Sequence, residues 1–194
     1  DARALLSDRG LLDRLPPAVR DLLETPQEPD PQHAAENHLI GSNEISLEAM
    51  RRALGDGWTA RIVSDRLVGD VTDAADQIVQ AVASAGSTGP TALIFGGETT
   101  VQLRGTGRGG RNQELALRVA LQGDSLPDHW VFLSGGTDGR DGPTDAAGGI
   151  VDGGTLARIG ASGQDVETLL ANNDSYAALK AAGDLLITGA TGTN

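Results

Sequence analysis

The stretch Ala92-Leu93-Ile94-Phe95-Gly96-Gly97-Glu98-Thr99-Thr100 decides the fold class. Four apolar residues in a row, cut off by two glycines, are too short for a helix and read as a buried strand. The small, polar segment that follows marks the strand's carboxyl end. In open α/β sheets that edge receives ligands, because backbone N–H groups and helix N-termini point towards it.

The same arrangement recurs along the chain. Residues 37–40, 61–63, 130–133 and 185–188 read as strands, and 101–103 as a further one. Gly41-Ser42-Asn43, Ser64-Asp65-Arg66, Ser134-Gly135-Gly136-Thr137-Asp138-Gly139 and Thr188-Gly189-Ala190-Thr191-Gly192-Thr193-Asn194 follow four of them. Helices are expected between: residues 45–54, capped by Ser42 or Asn43, with Ile45, Ala49, Met50 and Ala53 on one face; Val71–Ala83, with Val71, Ala75, Ile78 and Val82 on one stripe; and residues 112–121. A segment at 155–159 and short helices around Leu169 and Ala178 precede the last strand. This alternation predicts an α/β fold with a mostly parallel sheet and helices on both faces. Two short helices open the chain, the second at Pro16-Pro17, and the proline-rich residues 25–32 read as a linker.

Composition narrows the function. The 194 residues are 39% hydrophobic and 22% charged, as in an ordinary globular protein, and 27 glycines imply many tight turns or close backbone approaches. A net charge of −12 argues against nucleic acid and anionic membrane as partners. With no cysteine there is neither a disulfide framework nor a thiolate metal site. No apolar run reaches spanning length and no signal peptide is visible, so a cytoplasmic location is expected. The chain opens on Asp1 and stops inside a loop, which reads as a fragment of a longer enzyme.

Three motifs carry chemistry. Gly105-Thr106-Gly107-Arg108-Gly109-Gly110 matches a dinucleotide fingerprint between a candidate strand and a helix, although the acidic residue that should follow is poorly placed. Arg108 and Arg111 suit that loop to anionic oxygens, and Arg111-Asn112-Gln113-Glu114 opens the next helix, where a guanidinium adds its donors to free backbone N–H groups. Between Asp138 and Asp145 three carboxylates are spaced by glycine and proline; they could converge on a hard cation, activate a hydroxyl, or serve only as Asx turns. Asn172-Asn173-Asp174 either caps a helix or binds a ligand. His33, His38 and His129 lack metal-ligand spacing, and there is neither a P-loop nor a serine-hydrolase elbow.

These segments, in order, resemble the MOFRL family, the C-terminal region of two-lobed glycerate 2-kinases, often labelled hydroxypyruvate reductases. The resemblance runs from residue 36 onward. It implies a tail of the N-terminal lobe plus linker over residues 1–35 and a C-terminal, MOFRL-containing lobe over 36–194. It further implies ATP- and Mg²⁺-dependent phosphorylation of D-glycerate to 2-phosphoglycerate in a cleft between lobes, with a lysine supplied by the other lobe. By motif, Arg111 is the expected catalytic arginine and Asp138 the catalytic aspartate. Asp138 either accepts the substrate's hydroxyl proton or shares Mg²⁺ with Asp141. Asn43, Glu98, Thr99, Arg108, Asn112, Ser134, Thr137 and Asn173 are the expected substrate or nucleotide contacts. Homodimerisation is among the expectations. The rivals are an NAD(P)H-dependent hydroxypyruvate reductase and a lobe that folds and associates without turnover.

Overall fold

The computed structural model describes residues 2–25, 36–86 and 89–193. Residues 26–32 of the expected linker, His33 and Asn194 lie outside the described residues. The chain divides into two compact units, Asp1–Ile40 and Gly41–Asn194. In the first, helix α1 (Ala2–Asp8), a single 3-10 turn (Leu12–Arg14) and helix α2 (Pro17–Glu24) follow one another, with proline at the helix start as the sequence predicts. The expected strand at 37–40 is absent. That segment is irregular, and Leu39 and Ile40 are exposed, because no neighbouring strand satisfies its backbone.

The second unit begins with α3 (Asn43–Ala53), capped by the Ser42 hydroxyl, which accepts from the Ile45 N–H at 3.1 Å. Its buried residue is Leu47, whereas Ile45 and Met50, expected to face the core, are exposed. Strand β1 (Thr59–Asp70) then leads straight into α4 (Val71–Ala83), with Asp70 serving as the cap through the Thr72 N–H at 2.9 Å. Strand β2 (Thr91–Thr100) lies parallel to β1, the pairing expected of a helical crossover. Leu47 packs at Gly96 on one face of this pair. On the other, Leu67 of β1 and Phe95 of β2 join Val71, Ala74, Ala75, Ile78 and Val79 of α4 in one core.

The remaining strands depart from a single parallel sheet. Residues 101–103 leave β2 without pairing. After α5 (Arg111–Leu121), β3 (Val131–Gly135) runs antiparallel to β4 (Gly148–Asp152), which pairs antiparallel with the two-residue β5 (Leu185–Leu186). A loop without a helix joins β3 to β4, so the chain can only return antiparallel. Helices α6 (Thr155–Ala161), α7 (Val166–Ala171) and α8 (Ser175–Ala182) fill the interval before β5. One face of this second sheet is covered by Ala116 and Leu117 of α5 and Leu179 of α8, packed on Val151 and Gly149. Val131 and Leu133 on the opposite face are exposed. Helix α5 lies between the two cores, giving Leu115 and Val119 to the first and Ala116, Leu117 and Ala120 to the second. Its amino end is thereby fixed relative to the ends of both β2 and β3. No helix among the described residues is long and apolar enough to cross a membrane.

Candidate active site

Helix α5 has a problem at its start. Gly110 precedes it without a side chain, so the first N–H groups have no local acceptor. Asp141, from the β3–β4 loop, supplies one. Its Oδ1 accepts from the Asn112 backbone N–H and the Asn112 amide, both at 3.1 Å. Its Oδ2 accepts from the Gln113 N–H at 2.8 Å and the Gln113 amide at 3.0 Å. The Gln113 amide also donates to the Asp141 carbonyl oxygen and the Thr144 hydroxyl. Asp141 is 3% exposed. Both oxygens are committed to donors, so the side chain does not fit the metal-ligand role expected of it; a carboxylate on a helix's first turn is instead a cap aligned with the dipole. The same contacts occupy the N–H groups of residues 112 and 113, so these two donors are not free for a ligand.

Arg111, the first residue of α5, forms a 3.1 Å ion pair with Glu98 near the end of β2. Both side chains are solvent-accessible, at 42% and 73%. Asn112 is turned inward. Its amide oxygen accepts from the Ser134 hydroxyl at 2.8 Å, joining α5 to the end of β3. Asp138 lies four residues beyond Ser134. Its Oδ1 accepts from the Arg140 N–H at 3.0 Å, which shapes the turn, and the residue is half-buried. The chain beyond β5 fastens this turn: the Thr191 and Thr193 hydroxyls both donate to the Thr137 carbonyl, and the Thr191 N–H donates to the Asp138 carbonyl. Asn43 sits over Gly96 and donates to the Asp65 carbonyl at 2.5 Å. Thr99 is buried, 7% exposed. Among the described residues no three His, Cys, Asp or Glu side chains gather closely enough to hold a metal.

The glycine-rich loop is built unlike a phosphate cradle. The Arg104 and Gly105 N–H groups donate to the Asn173 side-chain oxygen, and that of Thr106 to the Asn172 side-chain oxygen. The Gly107 N–H bonds the Asn172 carbonyl and the Arg108 N–H the Asp174 carboxylate. The turn at 172–174 thus takes the donors that a dinucleotide pyrophosphate would need. It also explains the glycines: a Cβ on Gly105 or Gly107 would run into Asn172 or Asp174, and one on Gly110 into the Asp141 carboxylate. Asp174 precedes α8 but makes no cap, having spent its carboxylate on the loop. Beside the loop opens a hollow of about 150 Å³, bordered by Leu103, Gly109, Glu114 and Pro143 among others. Ligand pockets run to roughly 300–1,000 Å³, so this hollow does not enclose a nucleotide.

Residues beyond those anticipated complete the arrangement. Arg108 donates to the Pro143 carbonyl at 3.2 Å and lies 5.0 Å from the centre of the Tyr176 ring, while the Tyr176 hydroxyl donates to Asp145 at 2.9 Å. One clasp therefore joins the glycine loop, the acidic loop and α8. No individual site role follows from the sequence for Gln113, Glu114, Thr144 or Tyr176. The signal for Gln113 is a polar run opening a helix whose preceding residue is glycine, which demands a cap from elsewhere. The hydrogen bond to Asp145, then burial, moves the Tyr176 phenol above its ordinary titration range, with Arg108 opposing. A raised folded-state value means that neutral Tyr176 contributes stability below the unfolded tyrosine pKa, lost as pH rises through the folded one. Tyr176 is the chain's sole tyrosine, so phenolate absorbance reports it alone. The titration is expected to lie above that of the unfolded chain and to move down in Asp145→Asn; an unchanged midpoint in that variant refutes the clasp.

The chain is similar to known proteins over its full length. The sequence profile of the MOFRL family matches residues 91–194. The D-glycerate 2-kinase of Thermotoga maritima is 46% identical over 172 residues, covering 84% of this chain and 41% of that protein. The glycerate 2-kinase of Pyrococcus horikoshii is 42% identical over 210 residues, covering all of this chain and 47% of the relative. Human glycerate kinase is 36% identical over 246 residues, with the same coverage. A crystal structure of glycerate kinase from Thermotoga maritima superposes with a TM-score of 0.81 at 41% identity, over 100% of this chain and 47% of that one. The chain spans about half the length of the curated relatives it matches.

Proposed function

Because this chain belongs to the MOFRL family, we propose that it supplies the C-terminal lobe of a glycerate 2-kinase, transferring a phosphoryl group from ATP to the 2-hydroxyl of D-glycerate. The observation that carries this reading is the accessible guanidinium of Arg111, already holding a carboxylate, Glu98, at 3.1 Å. A fork of donors that binds one carboxylate in water can exchange it for the carboxylate of glycerate or for phosphoryl oxygens. Arg108 adds a second cation on the same loop. Asp138, held in its turn but with its side chain partly open, would accept the hydroxyl proton in this reading. Thr137 and Asn43 are the remaining expected contacts with room for a ligand, whereas Asn112, Ser134, Thr99 and Asp141 hold the scaffold. Residues 1–35 belong to the first lobe and its linker in this reading.

Phosphoryl transfer asks a protein chiefly for positioning and charge stabilisation, which is what this constellation offers. ATP supplies the transferred group. For Mg²⁺ the candidate carboxylate in this reading is Asp138, since both Asp141 oxygens are taken by the start of α5. Kinase Mg²⁺ ions are commonly held by one or two carboxylates together with substrate phosphates, a donor set to which Asp138 is suited. The reductase reading loses its support in the glycine loop, whose N–H groups are spent on residues 172–174.

The test is made on the protein carrying both lobes, with ATP and D-glycerate in a coupled assay for ADP. Glycerate-dependent ADP formation is expected, with no hydroxypyruvate-dependent oxidation of NADH. The reverse pattern overturns the proposal.

A further inference from the structure

Asn173 is expected from sequence to touch substrate or nucleotide, yet its side chain has no capacity left for either. Its oxygen accepts from the N–H groups of Arg104 at 2.7 Å and Gly105 at 3.0 Å. Its amide nitrogen donates to the Gln102 carbonyl and to Glu114 Oε2, both at 3.1 Å. A primary amide has two acceptor sites and two donors, and all four are used. The residue is 8% exposed. Its backbone lies in the left-handed region, φ 55°, the only non-glycine residue so placed among those described. Glu114, 3% exposed, is itself held on its other oxygen by Arg118 Nε at 3.1 Å and Nη2 at 2.8 Å.

We propose that Asn173 is a positioning residue: its amide ties the start of the glycine loop to the buried Glu114 of α5 and so sets where Arg108 and Arg111 stand. The role rests on the reading that these arginines take an anion, and extends it to a residue that touches none. Both ends of the arginine-bearing segment are held through one side chain, the loop's entrance at 102–105 and the first turns of α5 at Glu114. The requirement is specific to asparagine. Glycine adopts the left-handed backbone but has no amide. Aspartate can accept twice but cannot donate, and sets a second carboxylate against Glu114. Glutamine offers the same amide on a longer stem and a backbone less tolerant of positive φ.

The test uses N173G, N173D and the double variant N173D/E114Q, read by amide hydrogen exchange and by titration with inorganic phosphate. In N173G, exchange at residues 104–106 is expected to rise by about tenfold or more, the loss of two partly buried hydrogen bonds, while the β1–β2 pair keeps its protection. Phosphate binding is expected to weaken by about tenfold, the value of one misplaced charge-assisted contact. N173D is expected to be worse than N173G. N173D/E114Q restores a donor opposite the new carboxylate and is expected to recover part of the loss, a rescue that general loosening would not give. Unchanged exchange at 104–106, unchanged phosphate affinity, or a double variant no better than N173D each overturns the proposal. If the parent chain takes up no phosphate, the anion reading fails and the positioning role with it, while the exchange data still report the clamp. That outcome is distinct from a parent that binds and a variant that binds equally well.

Discussion

Arg111→Lys is expected to lower glycerate phosphorylation by about 10³-fold or more, while leaving the fold intact; arginines that stabilise phosphoryl-transfer charge are worth roughly 10³–10⁵ in rate. Lysine keeps the charge but replaces a planar fork by a point donor, which cannot hold two oxygens in fixed geometry. The fold is spared because the guanidinium is accessible and its ion pair joins it to exposed Glu98. Exposed pairs contribute about 0–1 kcal/mol, so the melting temperature should barely move. The measurement is turnover on the two-lobed protein beside a thermal melt, with Asp138→Asn as companion. Losses below about tenfold in both variants remove these residues from the chemistry.

Much of this was legible in the sequence where a local pattern has a single physical solution. The run 92–95 is a strand, Val71–Ala83 is a helix with the expected bounds, and Ser42 is a cap. The failures share a cause: their reason lies far along the chain. Strand β4 opens with Gly148-Gly149, which strand propensity disfavours. A Cβ at Gly148 would collide with the Ser134 carbonyl of the paired strand, so the glycine is imposed by the partner. Residues 101–103 have strand-like composition but no neighbour to pair with. The α3 face was misjudged because Leu47, not Ile45 or Met50, meets Gly96. The fingerprint at 105–110 was matched correctly as a string, but the acceptors of its N–H groups lie more than sixty residues later, at Asn172, Asn173 and Asp174. A glycine there reports a close neighbour, and the string alone does not say whether that neighbour is a ligand or the protein itself.

The same long-range dependence makes Asp141 the residue whose loss should cost most stability. Asp141→Ala removes the acceptor of four hydrogen bonds and strands the backbone N–H groups of residues 112 and 113, the latter buried, while the Gln113 amide keeps the residue-141 carbonyl and the Thr144 hydroxyl. A lost cap costs about 1–2 kcal/mol and a buried unsatisfied donor about 1–3, so a loss of about 3 kcal/mol is expected. For a chain of this size that lowers the melting temperature by about 6–12 °C. Asp141→Asn keeps the volume and one acceptor oxygen and should cost about half as much. A metal ligand would behave otherwise: its removal relieves like-charge repulsion in the free protein and leaves the melt unchanged or raised, with the deficit seen only when Mg²⁺ is added. A melt of Asp141→Ala within about 2 °C of the parent would therefore return Asp141 to the ligand list. The expected fall, present without any added cation, identifies the carboxylate as the part that holds α5, and with it Arg111, in place.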